Sequence, residues 1–288
     1  MTDQVDPIRA GLYLYGVVPS VGTDGQPLTI TVAGLDGAPV QVVAYGDVGV
    51  LTHSCSPRPY EGDVAQVHAW VLAQHEVISA AHANAGTILP IRFNSIVAPT
   101  ADRSAAEVLV DWLSRCHDAV AARLEALRGR VELGVQLFAE PVPSEASPPT
   151  GAPVSRGRAY FQAQLAQRQE RERIRATEAL TAREVFDELA ARADGLVVNP
   201  QRPVREGTTP LAELQGGGRL LLDVALLAQP QNVSAVGQYL AGVESTPGLS
   251  VRFTGPWAPY AFAGAFDMPL LVSATPNPTI DHGTSNDA

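Results

Sequence analysis

Residues 131–138 read VELGVQLF, and this stretch opens the part of the sequence that decides the fold. Its apolar residues, which follow Gly129 and precede a proline-rich segment, predict a strand. A long helix is predicted next, over residues 157–193, and further apolar runs predict two strands, a helix and a last strand. The resulting order, β-α-β-β-α-β, is the split βαβ or ferredoxin-like order. The later elements are predicted at residues 196–204, 219–227, 231–245 and 249–253.

The flanking segments complete the predicted α+β organisation. Upstream of residue 131 the apolar patterns predict strands at 12–18 and 89–97, a hairpin over 40–55, and helices over 63–84 and from Ser104 to Gly129. We therefore expect two domains, an N-terminal α+β sandwich over residues 1–130 and a ferredoxin-like domain over residues 131–272. Residues 141–155 are rich in proline and serine and predict a flexible linker, and residues 273–288 predict a disordered tail.

Two of the predicted helices carry signals at their ends. Gly86 follows the first helix and predicts its C-cap, and Ser104 and Glu107 have capping-box spacing at the start of the second. In the first helix, apolar side chains recur at helical spacing, which predicts a single buried face. The members of that face are Val64, Val67, Val71, Ile78 and Ala81.

Composition excludes several classes of function. The chain has 288 residues and a formal net charge of −10. An acidic chain is a poor nucleic-acid binder, because phosphate binding needs clustered cations. All 20 cationic residues are arginines, so mechanisms that use a lysine nucleophile are excluded. Cys55 and Cys116 form no close-spaced metal or redox motif. No apolar run approaches the ~20 residues of a membrane helix. No signal peptide is evident, so we expect a cytoplasmic protein.

No catalytic constellation emerges from the sequence, and neither a cofactor nor a metal ion is expected. Phosphate-loop, dinucleotide, zinc-protease and nucleophile-elbow motifs are missing. His68, His75 and His82 are spaced by seven residues on one predicted helix, so neighbours lie about 10.5 Å apart along its axis. That distance is too long for neighbouring histidines to share one metal ion, so we interpret them as polar packing positions, with a metal site or a pH switch as the alternatives.

Three segments are candidates for partner binding. Residues 89–95 (LPIRFNS) place Arg92 in an apolar strand, where we expect a structural role, pairing with a carboxylate or capping carbonyl groups, with partner binding as the alternative. Residues 254–260 (TGPWAPY) predict a rigid irregular turn in which Trp257 and Tyr260 either pack on the core or face outward. We expect core packing for Trp257. Residues 168–175 (RQERERIR) predict either a solvated helix face or a docking surface.

Five segments together resemble the gas vesicle protein L/F family. They occur in the family's order, and the combination of an LPxRF segment with a GPWxPY segment is specific to that family. Asn94 stands where the family usually has glycine, and asparagine is the residue that best replaces glycine in a left-handed turn. Ala258 replaces a proline. The matching segments are residues 12–18 (LYLYGVV), 88–97 (ILPIRFNSIV), 131–137 (VELGVQL), 157–161 (GRAYF) and 254–262 (TGPWAPYAF).

The resemblance implies a non-catalytic accessory protein for gas vesicle assembly, with two α+β domains. Its implied partners are the small hydrophobic shell protein and other accessory proteins, and its implied location is the cytoplasm, in association with gas vesicles. A minor component of the vesicle wall is one alternative. A ligand-binding α+β protein with a pocket lined by His75, Arg92 or Tyr260 is another. The candidate binding or signature residues are Arg92, Phe93, Asn94, Tyr160, Trp257 and Tyr260.

Overall fold

The computed structural model of the chain describes residues 10–140, 156–198, 218–265 and 268. Its residues group into two compact units. Unit 1 comprises Met1–Arg128 and Ala263–Ala288, and unit 2 comprises Gly129–Phe262. The units divide after Arg128 and after Phe262, and the expected domain boundaries at residues 130 and 272 stay predictions. The predicted linker and tail lie outside the described residues.

Unit 1 is built on an antiparallel sheet with two helices. The sheet has the order β2-β3-β1-β4, and β5 also pairs with β1. Both predicted capping signals are confirmed: Gly86 has a left-handed φ of 70°, and Ser104 and Glu107 form a capping box. The elements are β1 Gly11–Pro19, β2 Gln41–Tyr45, β3 Val48–Cys55, α1 Val64–Ala85, β4 Leu89–Pro90, β5 Ile96–Val97 and α2 Ala105–Leu127.

Strand β1 is the centre of unit 1, as its apolar sequence predicts. All nine of its residues are buried. It pairs with β3 along one edge and with β4 and β5 along the other. Gly16 is required for this pairing, since an added Cβ would lie 2.7 Å from Ile88 Cδ1 and 3.0 Å from the Leu89 carbonyl oxygen. A side chain at position 16 would therefore push β4 away from β1.

The predicted strand over residues 89–97 is interrupted. The chain leaves the sheet after Pro90 and rejoins it at Ile96. We name residues 91–95 between these points the β4–β5 turn. Asn94 has a left-handed φ of 66°, as its place in a glycine position predicted. The strict alternation of faces was therefore wrong, because the segment bulges out of the sheet around the left-handed Asn94 and then resumes the same direction along β1.

The buried face of α1 agrees with the prediction at Ile78 and Ala81, which are fully buried, and differs from it in the first half of the helix. Val64 is 88% exposed and Val71 is 44% exposed. Trp70 and Gln74 are buried instead. The Trp70 indole N–H donates to an Asp36 carboxylate oxygen at 2.8 Å, and Gln74 is hydrogen bonded on both sides of its amide. These polar contacts turn the Trp70 face of the helix toward the core, which hydrophobic spacing alone did not reveal.

Unit 2 is an antiparallel sheet with two helices on it. The sheet order is β7-β8-β6-β9, so β8 separates the two strands that the long helix α3 connects. The predicted class, mixed helix and strand with antiparallel sheets, is confirmed for both units. The elements are β6 Val131–Ala139, α3 Arg156–Ala190, β7 Gly195–Val198, β8 Arg219–Ala228, α4 Val233–Glu244 and β9 Leu249–Trp257.

The core of unit 2 lies between the sheet and the helices. Strand β6 alternates, with every second residue from Leu133 to Leu137 fully buried. Burying a leucine or valine side chain contributes about 1.5–3 kcal/mol, so this cluster dominates the stability of the unit. Its buried members are Leu133, Val135, Leu137, Val185, Leu189, Val224, Leu226, Ala228, Val236 and Leu240.

The first half of α3 is solvent-exposed, in line with its polar sequence. Among the described side chains of residues 161–175, Ile174 is half-buried and the others are exposed. Arg168 pairs with Glu172 and Arg173 pairs with Glu170 along the same helix. Exposed pairs at this spacing contribute only about 0.3–0.5 kcal/mol each. The contacts fit the solvated face that the mixed charges of residues 168–175 predict.

Strand β9 is longer than predicted. It continues through residues 254–257, which were expected to form an irregular turn. Gly134 faces Thr254 and Glu132 faces Trp257, so β9 carries one extra residue there. Gly255 lies in this bulge with a φ of 108°, and an added Cβ would lie 2.7 Å from the Glu132 carbonyl oxygen. Pro256 is tolerated because β9 is an edge strand, where a missing N–H breaks no ladder bond.

Candidate functional site

The candidate residues lie in two places. Arg92, Phe93 and Asn94 lie in the β4–β5 turn of unit 1, and Trp257 and Tyr260 lie at the end of β9 in unit 2. Tyr160 lies in the first turns of α3, and its side chain is outside the described residues. The two places are therefore described one after the other.

Asn94 fixes the β4–β5 turn to the loop that precedes α1. Its side-chain oxygen accepts the Tyr60 backbone N–H at 2.7 Å, and its side-chain nitrogen donates to the Tyr60 carbonyl oxygen at 3.1 Å. Its own backbone N–H donates to the Tyr13 hydroxyl at 3.1 Å. The side-chain amide of Asn94 therefore pairs with both the N–H and the C=O of Tyr60, as a neighbouring strand would. A glycine would supply the left-handed φ without this pairing.

Gln74 holds the same turn from the side of α1. Its side-chain nitrogen donates to the Ile91 carbonyl oxygen at 2.9 Å, and its oxygen accepts the Tyr13 hydroxyl proton at 2.6 Å. Gln74 and Tyr13 are both buried, with exposed fractions of 6% and 0%. Because buried polar groups are costly when unpaired, these bonds specify one position for the turn.

His53 lies at the centre of the same polar cluster. Its side chain is buried, with Nδ1 at 2.7 Å from the Tyr15 hydroxyl and Nε2 at 2.9 Å from the Tyr60 hydroxyl. The ring stacks on Tyr13 with a centroid distance of 5.1 Å. Burial lowers the pKa of His53 to about 4, so the imidazole is neutral near pH 7. A neutral ring donates through one nitrogen and accepts through the other, and a hydroxyl partner can serve either role.

The cluster around His53 is uncharged near neutral pH. Burial raises the pKa of Tyr15 to about 12 and that of the Cys55 thiol to about 11. It also raises the pKa of Tyr13 and Tyr60 well above the ordinary tyrosine value. The cluster therefore offers hydrogen bonds and packing rather than an ionised nucleophile or base at pH 7. Its structural effect is to hold the β4–β5 turn rigidly.

Arg92 and Phe93 are the part of the turn that reaches the surface. The Arg92 side chain is exposed, and Phe93 is half-buried with its ring 6.3 Å from the Tyr13 ring, edge to face. Within residues 10–140, 156–198 and 218–265, no carboxylate forms an ion pair with Arg92. The expected structural partner for Arg92 is therefore not found there, because the turn carries the side chain out of the sheet.

Trp257 and Tyr260 present exposed aromatic surface in unit 2. Trp257 is 42% exposed and Tyr260 is 38% exposed, so the expected core packing of Trp257 was wrong. The segment after β9 is held by Glu132, whose carboxylate accepts the Ala261 backbone N–H at 2.6 Å. Desolvation and the nearby Glu132 carboxylate raise the pKa of the Tyr260 hydroxyl to about 12. Burial also raises the pKa of Glu132, which shows that the bond lies in a partly dry environment.

The alternatives of a ligand pocket or a metal site find little support. A depression of about 360 Å³ lies between residues 20–30 and strand β2. Neither His75, Arg92 nor Tyr260 lines it. Over the described ranges, no three histidine, cysteine or acidic side chains are placed to hold a metal ion. In the same ranges, no helix has the length and apolar character to cross a membrane.

Sequence reasoning missed the residues that hold the candidate segments. His53, Tyr60 and Gln74 fix the β4–β5 turn, and Glu132 fixes the segment after β9. The polar contacts around the turn could have been anticipated, because Tyr13 and His53 lie on strands predicted to be buried. A buried tyrosine hydroxyl or imidazole nitrogen needs a hydrogen-bond partner. Nothing local pointed to Glu132, which contacts a backbone group 129 positions away.

Comparisons with known proteins match nearly the whole chain. The family described as gas vesicle synthesis protein GvpL/GvpF matches residues 11–264. Gas vesicle protein L2 of Halobacterium salinarum is 28% identical over 270 residues, covering 88% of this chain and 91% of the relative. Gas vesicle protein L of Haloferax mediterranei is 30% identical over 249 residues, covering 80% of this chain and 72% of the relative.

Solved structures show the same fold. The crystal structure of the gas vesicle protein GvpF from Anabaena has a TM-score of 0.62 and 22% identity, and the match covers 90% of this chain and 98% of that one. The crystal structure of GvpF from Microcystis aeruginosa has a TM-score of 0.59 and 19% identity, and the match covers 88% and 99% of the two chains.

Proposed function

The chain belongs to the GvpL/GvpF gas vesicle synthesis family, and on this premise we propose that it is a non-catalytic accessory protein that binds the small hydrophobic shell protein during gas vesicle assembly. The match over residues 11–264, which spans both units, carries the proposal. In this proposal the protein works in the cytoplasm, in association with gas vesicles and with other accessory proteins. It needs no cofactor. The ferredoxin-like description of unit 2 is part of the same proposal and is supported by the sheet order β7-β8-β6-β9.

The physical task is to keep an aggregation-prone subunit apart until it joins the wall. A rigid surface binds with a smaller entropic cost than a flexible one, because little is left to order on binding. The β4–β5 turn meets this need, since Asn94 and Gln74 hold it while Arg92 and Phe93 reach the surface. Arginine and tryptophan are enriched at binding hot spots, so we assign Arg92, and Trp257 in unit 2, as contact residues.

The test is capture of the purified shell subunit by the full chain. Arg92→Ala and Trp257→Ala should each weaken capture, by about 30-fold if each is a hot spot worth about 2 kcal/mol. Arg115→Ala and Leu180→Ala are matched controls, since both side chains are exposed and lie outside the candidate segments. Circular dichroism and thermal unfolding establish that the variants are folded. Equal capture by all four variants would remove Arg92 and Trp257 from the proposal.

Failure of the folded wild-type chain to capture the shell subunit would refute the binding function itself. Deletion of the gene should abolish or deform gas vesicles, and normal vesicles after deletion would contradict the assembly role. An assembly factor should be scarce in isolated vesicles. A fixed stoichiometric ratio to the shell protein there would instead indicate a wall component.

A further inference from the structure

A charged clamp joins α2 to the hairpin of β2 and β3. His117 of α2 lies between two carboxylates, with Nε2 at 2.6 Å from Asp47 Oδ1 and Nδ1 at 2.9 Å from Asp118 Oδ1. Asp47 lies in the tight turn of the hairpin, next to Gly46, which has a φ of 62°. The Tyr45 ring lies 5.9 Å from the imidazole, edge to face.

The geometry of the clamp decides the protonation state of His117. An ionised carboxylate can only accept hydrogen bonds, so each ring nitrogen that faces one must carry a proton. Both nitrogens of His117 face carboxylates, so both contacts are hydrogen bonds at once only while the ring is an imidazolium ion. Its contacts with Asp118 and with Asp47 raise the pKa of His117 above the ordinary value. The titratable groups that face the ring are Asp118 on α2, Asp47 in the turn and Tyr45 on β2.

At this end the hairpin is also held through its backbone, since the Asp47 carbonyl oxygen accepts the Ser20 N–H at 2.8 Å and β3 pairs with β1 as far as Val48. Strand β2 is the edge of the sheet and pairs only with β3 among the described strands. None of its five residues is fully buried. It also forms one wall of the depression of about 360 Å³, through Gln41, Val42 and Ala44, opposite residues 20–30. A change at the clamp therefore acts on an edge strand that borders a groove.

We propose that Asp47, His117 and Asp118 form a pH-sensitive fastener that holds the β2–β3 hairpin on α2 while His117 is protonated and releases it when His117 loses its proton. The direction follows from linkage: the Asp47 contact exists only in the closed form and raises the pKa of His117 there, so it stabilises the closed form at a pH below the pKa of the open form, and this contribution is lost as the pH rises through the pKa of the closed form. The hairpin therefore loosens on the alkaline side. This regulation is additional to the proposed gas vesicle role and does not depend on it.

Two independent measurements on the full chain test the fastener. The Cε1–H resonance of His117 gives its pKa by NMR titration, assigned with His117→Gln. Amide hydrogen exchange of β2, corrected for the intrinsic effect of pH, gives the protection of the hairpin on either side of that pKa. Because one proton is linked to closure, a pKa that is higher by one in the wild type than in Asp47→Asn corresponds to about a tenfold loss of protection at high pH. The two measurements should agree.

Substitutions at Asp47 and His117 test whether the clamp causes the pH dependence of β2 protection. Asp47→Asn should lower the pKa of His117 and remove the pH dependence of β2 protection, and His117→Gln should remove that dependence as well. His68→Gln, at an exposed histidine on α1, is the control and should leave the wild-type profile unchanged. A wild-type His117 that titrates at or below about 6.5 would overturn the proposal. Equal protection of β2 on both sides of the titration would overturn it too.

Discussion

The stability of unit 1 should fall in mild acid because His53 is buried as a neutral ring. The folded pKa of His53 is about 4 and its ordinary value is 6.5. Between these values the unfolded chain binds one more proton than the folded chain, so stability rises with pH there. The contribution is complete above about pH 6.5 and is lost as the pH falls toward 4. The full difference corresponds to about 3 kcal/mol, and about 2 kcal/mol of it is lost between pH 8 and pH 5.

The assay must report on unit 1 and must separate His53 from the carboxylates that titrate in the same range. The three tryptophans are Trp70, Trp112 and Trp257, and only Trp257 belongs to unit 2. In a Trp257→Phe background, fluorescence during urea unfolding therefore follows unit 1. His53→Gln in the same background is the reference, because its carboxylates titrate as in the parent.

The two proteins should converge as the solution becomes acidic. At pH 8 His53→Gln should be less stable by about 1–3 kcal/mol, because two buried hydroxyl partners lose the imidazole. At pH 5 the free energy of unfolding of the Trp257→Phe parent has fallen by about 2 kcal/mol through His53, and the variant has no His53 to titrate. The difference in stability between the two proteins should therefore shrink by about 2 kcal/mol. A gap that stays constant from pH 8 to pH 5 would refute the depressed pKa and with it the dry, neutral environment assigned to His53.

Further substitutions test the other devices, each by urea unfolding. Asn94→Ala should lower the free energy of unfolding by about 2–4 kcal/mol, because alanine is strained at a left-handed φ and leaves the Tyr60 peptide groups unpaired. Asn94→Gly should lower it by less, because glycine adopts that φ freely. Equal losses in the two variants would contradict a role for φ. Gly255→Ala should destabilise unit 2 by more than about 1 kcal/mol, and an unchanged midpoint would contradict the tight bulge. Ser104→Ala should cost about 1 kcal/mol through the capping box. Leu133→Ala should cost about 2–5 kcal/mol, and a smaller loss would mean that the core collapses around the site.

Local signals in the sequence predicted the elements well, because their causes are local. The capping box at Ser104, the left-handed Gly86 and the buried strand β1 each depend on residues within a few positions. The buried face of α1 was predicted correctly at Ile78 and Ala81 but wrongly in the first half of the helix, because the helix carries apolar side chains on more than one side. Hydrogen bonds from Trp70 and Gln74 to groups distant in sequence stabilise the observed face, and the spacing of apolar residues along the helix does not indicate those partners.

In the candidate site, too, features with local causes could be predicted and features with long-range causes could not. The positive φ of Asn94 could be predicted from one residue in a glycine position, because it is a property of the backbone. The interruption of the strand could not, since it depends on Tyr60, Tyr13 and Gln74 meeting the turn from three separate elements. The exposure of Trp257 likewise depends on the edge position of β9, which is set by the order of strands and not by the strand's own sequence.

His53 and His117 act on unit 1 with opposite signs, and together they define a pH window. His53 is buried among hydroxyl groups and favours folding as a neutral ring, so its contribution is lost as the pH falls below about 6.5. His117 lies between carboxylates and favours the closed hairpin as a cation, so its contribution is lost as the pH rises through its raised pKa. Unit 1 should therefore be most stable between these limits. His53→Gln should flatten the acid side of the stability profile alone and His117→Gln the alkaline side alone, and a single variant that flattened both sides would show that the two histidines titrate as one coupled system.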